Sequence, residues 1–383
     1  MLLATAGLGG VEAGSGGPAG RALSVHANAG SVGWMTLWIL AVALGMITGD
    51  GSGASDHARA GCWLAWAAVA AAAANACADV AGSASASAAT ATAVLAAAAT
   101  YVAWLARVSQ RTRTAWTVPR LGAAAALAVL MTGFLLATAG AWAAVGRHAG
   151  AAASLNAAQS AAIAVPLVML AATAAVEWAS VPEAAAGPMT TAGLVQVGAF
   201  VLAAAATIAG VLSSNLALTE ANTSLVLAGI AIFAVRVGPR LLSAGGARGS
   251  RVWLTTSALA LAVDAGLFLH VVFEVGAQRY ASAGLVPLWL VFAVDHVTFA
   301  GVGTAALFGA IATLAGHEDR WLMADVVAAA GLVLGLAGVT LGLGSGSTAV
   351  EAASAAVVGL SILIAVAVAA GRLCRCRRRG SPR

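Results

Sequence analysis

The segment "LALAVDAGLFLHVVFEV", residues 259–275, decides the class of fold to which this chain belongs. Its residues are all apolar or small except Asp264, His270 and Glu274. A run of this kind is typical of a helix that crosses the hydrocarbon core of a membrane, about 30 Å thick and spanned by about 20 residues. Ionisable side chains are costly in lipid. We therefore ask what surrounds these three residues in the rest of the chain.

The composition extends this interpretation to the whole chain. Of the 383 residues, 61% are hydrophobic and only 9% are charged, whereas soluble domains carry about 25% charged residues. The mean hydropathy is +0.94. A soluble globular surface cannot be covered with so few charges, and the apolar runs lack the alternation of barrel strands. We therefore predict an all-α, polytopic bundle of transmembrane helices.

Apolar runs between polar breaks predict about eleven spans, with ten or twelve as alternatives. Their predicted positions are 32–49, 60–78, 84–106, 121–145, 153–176, 189–213, 223–239, 252–274, 285–314, 321–343 and 350–371. The chain is thus divided into an N-terminal segment at 1–31, expected to be flexible, a helix bundle at 32–371 and a basic tail at 372–383. The connections between spans are short and offer no room for a separate soluble domain.

The arginines predict the orientation of the bundle. All 19 basic residues are arginine, and cytoplasmic loops carry an excess of basic residues. If the C-terminal tail is cytoplasmic, alternation through eleven spans places 16 arginines inside and 3 outside. The basic pI of about 9.7 follows from this rule without nucleic-acid binding. We expect the N-terminus outside and the C-terminus inside.

The ionisable residues of spans eight to ten are the candidate polar site. They are Asp264, His270 and Glu274 in span eight, Asp295 and His296 in span nine, and Asp325 at the start of span ten. Because a charge at the bilayer centre costs about 2.5–3.5 kcal/mol on insertion scales, these groups should face the bundle or water. One hypothesis is a binding pocket or polar pathway between the three spans. The alternative is a structural cluster that fixes helix packing.

Two further patterns concern packing and lipid contact. Gly331, Gly335, Gly338 and Gly342 have the small-residue spacing that lets helices approach closely, either within the bundle or in a homo-oligomer. Cys374 and Cys376 lie among arginines just after the last span, where cysteines are candidates for palmitoylation. The unmodified thiols of an ordinary stop-transfer tail are the alternative.

Signatures of catalysis and of metal binding are absent from the sequence. It contains no GxSxG, HExxH or P-loop motif, and no pair or array of cysteines with metal-ligand spacing. We predict no enzyme activity, no catalytic residue, no metal and no cofactor.

The first span, "GWMTLWILAVALGMITG" at 33–49, and the stretches "FLHVVFEVGAQRY" at 268–280 and "WLVFAVDHVTFAGVGTAALFGAI" at 289–311 carry a resemblance. Over about a third of its length the chain resembles the multi-spanning envelope proteins of alphaherpesviruses, the unique-long forty-three family. That family is in turn similar in span count to the equilibrative nucleoside transporters. This chain departs from the transporters in its cytoplasmic basic tail and in lacking an arginine companion for Asp264 within span eight.

The resemblance implies a non-enzymatic accessory protein of the virion envelope and of host cell membranes. Its expected partners are the lipid bilayer and viral membrane glycoproteins, and its expected role is to modulate glycoprotein-mediated membrane fusion or virion envelopment. The cost of the intramembrane polar residues favours an alternative, a solute carrier with a nucleoside-transporter-like scaffold and a polar site between spans eight and ten.

Overall fold

A computed structural model describes residues 35–48, 54–112, 115–180, 189–243, 248–276, 287–315 and 319–379. The predicted flexible segment at 1–31 lies outside these residues. Within them the chain forms helices and turns and no strand, which confirms the prediction of an all-α fold.

The helices follow one another with short connections. They are α1 (Thr36–Thr48), α2 (Ala54–Ala81), α3 (Ala84–Thr112), α4 (Val118–Val145), α5 (Ala149–Ala162), α6 (Val168–Ser180), α7 (Thr191–Ser213), α8 (Leu216–Ser243), α9 (Arg248–Gly276), α10 (Leu288–His296), α11 (Thr304–Leu314), α12 (Leu322–Ser345) and α13 (Thr348–Arg379). A π-helical turn at Ile163–Leu167 joins α5 to α6, and another at Val297–Gly303 joins α10 to α11. Each of these two pairs therefore forms one long, interrupted helix.

Ten helical segments are long and apolar enough to cross a membrane. They lie at the predicted spans two to eleven, and the chain is therefore an integral, multi-pass membrane protein. The first predicted span differs, because its described helix α1 has only 13 residues and measures about 20 Å at 1.5 Å per residue. The last helix continues past the predicted end of the bundle at 371 and stays helical to Arg379.

The described residues divide into two compact units. The first unit holds residues 35–171 and 189–226, and the second holds residues 172–180 and 227–379. In the first, α4 packs against α1, α3, α5 and α7. In the second, α9 packs against α10, α11 and α12, and α12 packs along α13. The candidate polar residues all belong to the second unit.

In the first unit, α1 is enclosed by other helices. Trp38, Leu40 and Met46 are almost fully buried, and the hydroxyl of Tyr101 donates to the carbonyl of Leu40 over 3.1 Å. Arg120 closes the C-terminal end, where its Nε donates to the carbonyl of Met46 over 2.8 Å. A guanidinium at that end satisfies a free carbonyl and complements the helix dipole.

In the second unit, α12 and α13 form a close hairpin. Gly346, with a φ of +67°, ends α12 in the left-handed conformation that glycine adopts without strain. The amide of Ser347 then donates to the carbonyl of Gly342 over 2.9 Å. The chain thus reverses direction over two residues, and the glycines of α12 lie against α13.

Candidate functional site

A row of polar contacts joins α9 to the interrupted helix formed by α10, the π turn and α11. Ser250 lies 2.6 Å from Thr313, measured between hydroxyl oxygens, and Asp264 accepts a hydrogen bond from Thr298. The partner's residue number falls as the number on α9 rises, so the two helices run antiparallel. We call Ser250, Ser257, Asp264, Thr298 and Thr313 the polar seam.

The π turn exposes a carbonyl to the middle of the seam. The hydroxyl of Ser257 donates to the carbonyl of Val302 over 2.9 Å, and Val302 lies in the π turn at Val297–Gly303. A π turn displaces the regular pairing of backbone groups and is frequent at functional sites. The backbone approaches α9 closely here, since a Cβ on Gly301 would lie 2.9 Å from the Cβ of Ala260.

Asp264 occupies the far end of the seam and has no exposed surface. Its Oδ2 accepts from the hydroxyl of Thr298 over 2.6 Å. Its Oδ1 is buried and has no hydrogen-bond partner among the described residues. An ionised carboxylate has room for about four hydrogen bonds, so Asp264 is poorly compensated as an anion.

Asp325, on α12, lies beside the N-terminal part of α9, and its negative charge is fully compensated. Its Oδ1 accepts from Nε1 of Trp253 over 2.9 Å and from Nη1 of Arg372 over 3.0 Å, while Arg372 Nη2 donates to its Oδ2. Asp325 and Arg372 are 1% and 5% exposed. We call Trp253, Asp325 and Arg372 the clasp; it links α9, α12 and α13 through a bidentate ion pair.

A second buried ion pair connects α6 to α8. Arg236 donates to both carboxylate oxygens of Glu177, over 2.5 Å from Nη2 and 3.2 Å from Nη1. Both side chains are largely buried. As in the clasp, an arginine about two turns before the end of one helix neutralises an acid near the end of another.

The six predicted polar residues do not form one group. Asp295 lies on α10, three residues before Thr298. His296 lies beside it in sequence, but its Nδ1 is 2.7 Å from the carbonyl of Phe292 on its own helix. His270 is 48% exposed, and its Nδ1 lies 4.0 Å from Oε1 of Glu274 at the outer end of α9. Asp325 belongs to the clasp, so the site contains Asp264 and Asp295.

A cleft lies beside the middle of the seam, within the second unit. It has no room for a water molecule, and its walls include Thr173, Phe233, Ser257, Leu261 and Val302. Apart from the hydroxyls of Thr173 and Ser257, the lining side chains are apolar. Among the described residues, no group of three or more His, Cys, Asp or Glu side chains is placed to hold a metal ion.

The predicted packing glycines lie against the last helix of the same chain. Gly331 contacts Ser361, Gly335 contacts Val358, Gly338 contacts Ser354 and Gly342 contacts the backbone of Glu351. The predicted palmitoylation site lies at the C-terminal end of α13, where Cys374 is exposed. Cys376 is in the same helix, and its side chain is outside the described part of the structure.

The partners of the acids are the functional residues that the sequence analysis missed. The contacts are made by Thr298, Arg372, Glu177 and Arg236. From the sequence, Arg236 was expected in a loop and Arg372 in the tail. One signal was readable: Ser250, Ser257 and Asp264 recur every seven residues and so mark one face of α9. Which helix packs on that face cannot be read from spacing within α9.

No protein-family model, no curated protein and no solved structure matches this chain.

Proposed function

We propose that this chain is a non-enzymatic, multi-pass accessory protein of a viral envelope and of host membranes, which modulates glycoprotein-mediated fusion or virion envelopment. The observation that carries the proposal is the internal neutralisation of charge in the second unit. Glu177 with Arg236, and Asp325 with Arg372, form buried ion pairs that join helices of the same unit. Such pairs hold helices together and leave those charges unavailable to a solute.

The outer faces of the helices support contacts within the membrane. Large apolar side chains point outwards in both units, among them Trp63 and Trp66 on α2 and Leu334 and Leu341 on α12. In a bilayer such faces meet lipid or the helices of other membrane proteins. The viral identity and the glycoprotein partners rest on the sequence resemblance alone.

A cell–cell fusion assay tests the accessory role. Cells that express alphaherpesvirus entry glycoproteins are compared with and without this protein, and an unrelated multi-pass protein expressed at the same level is the control. We expect a change in the extent of fusion and co-purification of at least one glycoprotein in mild detergent. Unchanged fusion without co-purification would contradict the proposal.

A solute carrier is the second candidate, and the state of Asp264 favours it. This acid is buried within span eight, and one of its oxygens has no hydrogen-bond partner among the described residues. An intramembrane ionisable residue without a full set of partners marks a substrate or ion pathway in many membrane proteins. Uptake of labelled nucleosides into proteoliposomes is the test. Uptake should fall in Asp264→Asn and Asp295→Asn, and uptake that neither substitution affects would exclude this site.

A further inference from the structure

Asp264 differs from the other buried acids of the second unit in the hydrogen-bond donors that surround it. Asp325 and Glu177 each receive two hydrogen bonds from an arginine. Asp264 receives one hydrogen bond, from a neutral hydroxyl, and is more deeply buried than Glu177. An isolated buried carboxylate is far more costly than a neutral carboxyl group, which needs fewer partners.

The surroundings of Asp264 add no described cation that would balance a negative charge. The titratable groups on the elements packed against α9 are Asp295 and His296 on α10, Asp319 and Arg320 before α12, Asp325 on α12 and Arg372 on α13. Glu177 and Arg236 lie on α6 and α8, which line the cleft beside Ser257. Helix α9 itself carries Arg248, Arg251, His270 and Glu274. The π turn and α11 carry none. Arg248, Arg251, Arg320 and Asp325 lie near the opposite end of α9 from His270 and Glu274, and Arg236 and Arg372 are each paired with an acid, Glu177 and Asp325.

We propose that Asp264 is a proton-binding site, held as a neutral carboxylic acid by the packed polar seam and able to exchange its proton when the π turn moves away from α9. On release, the O–H bond of the carboxyl group breaks, its electron pair stays on Asp264 and the proton passes to water. The ligand is a proton, bound at one oxygen while Thr298 donates to the other.

The π turn provides the means of exchange. Around Asp264, two hydrogen bonds among the described residues join the π turn to α9, from Ser257 to the carbonyl of Val302 and from Thr298 to Asp264. Both bonds can open without breaking a backbone hydrogen bond of α9. The site does not depend on the accessory role in fusion, and it gives the carrier hypothesis its coupled ion.

Infrared spectroscopy of the protein in lipid nanodiscs tests the site directly. The spectrum at neutral pH should contain the C=O stretch of a protonated carboxyl group. Asp264→Asn should remove this band, and Asp79→Asn, in the first unit, should leave it in place. A band that survives in Asp264→Asn, or that is absent from the wild type at neutral pH, would overturn the proposal.

A second variant covers the case in which Asp264→Asn does not fold. Thr298→Val keeps the shape of the side chain and removes the hydroxyl that donates to Asp264. The carboxyl band should persist in this variant and move to higher frequency, because the C=O group has lost its hydrogen-bond donor. An unmoved band would assign the proton to another acid. Neither measurement involves fusion or uptake, so failure of either functional proposal is distinguished from failure of the site.

Discussion

At the scale of single residues, the second unit is organised by where each acid finds its counter-charge. Asp325 in the clasp and Glu177 each form an ion pair with an arginine. Asp264 instead accepts a hydrogen bond from the neutral hydroxyl of Thr298. Removing one member of a buried pair leaves the other as an uncompensated charge, which costs more than the pair itself contributes. The contribution of each acid to the free energy of unfolding can therefore be measured by substituting its partner.

Arg372→Ala should destabilise the protein strongly. The substitution leaves Asp325 buried with Trp253 as its remaining donor, and breaking a buried pair in this way costs about 3–5 kcal/mol. The measurement is thermal unfolding in detergent. Arg375→Ala is the matched control, because Arg375 is exposed on the same helix. Equal losses in the two variants would show that the clasp is not formed.

A double-mutant cycle measures the pair on α6 and α8. Glu177→Gln and Arg236→Gln should each lower the free energy of unfolding, and the double variant should lose less than the sum. Groups in direct contact have coupling energies of about 0.5–3 kcal/mol, and this bidentate pair should lie in the upper half of that range. Additive losses would place the two side chains out of contact.

At the scale of helices, the hydrophobic pattern predicted the positions of the spans and could not predict their partners. Each of the ten long helices lies on a predicted span, because hydropathy over about 20 residues reports burial in lipid. The two π turns were not predicted, although Pro166 lies inside the first of them. The prediction for Asp264 depended on burial alone, whereas its contact with Thr298 depends on which helices are neighbours.

Gly342 tests the packing of α12 on α13. A Cβ at this position would lie 2.6 Å from the backbone nitrogen of Glu351, which cannot turn away as a side chain can. Gly342→Ala should therefore lower the free energy of unfolding by about 1–3 kcal/mol, as overpacked cores do. Gly359→Ala on α13 is the control, since its Cβ would meet nothing within 4 Å. A melting temperature lowered equally by both changes would contradict this close approach.

At the scale of the whole molecule, we predict that each of the ten long helices crosses the membrane once. An even number of crossings would return the chain to the side from which it started, so we expect the start of α2 and the end of α13 on one side. The basic residues around both ends favour the cytoplasm. Helix α1 then determines the side of the N-terminal segment, and its apolar sequence supports a crossing despite its length of 13 residues.

Labelling of single cysteines with a membrane-impermeant maleimide tests this topology. In a variant that keeps only Cys374, which is exposed, the thiol should react only after the cytoplasmic face is opened. A cysteine placed at Ser31 in a cysteine-free background should react from outside in intact cells. Protection of that residue until permeabilisation would show that α1 enters the membrane and returns to the same side.

The order of the charges along the chain has a consequence for biosynthesis. Glu177 precedes Arg236 by 59 residues, and Asp325 precedes Arg372 by 47 residues. At about 5–20 residues per second of translation, each acid waits several seconds for its arginine to leave the ribosome. During this interval the insertion machinery holds a half-built bundle with an acid that lacks its counter-ion. A chain that ends before Arg372 therefore keeps Asp325 without its counter-ion.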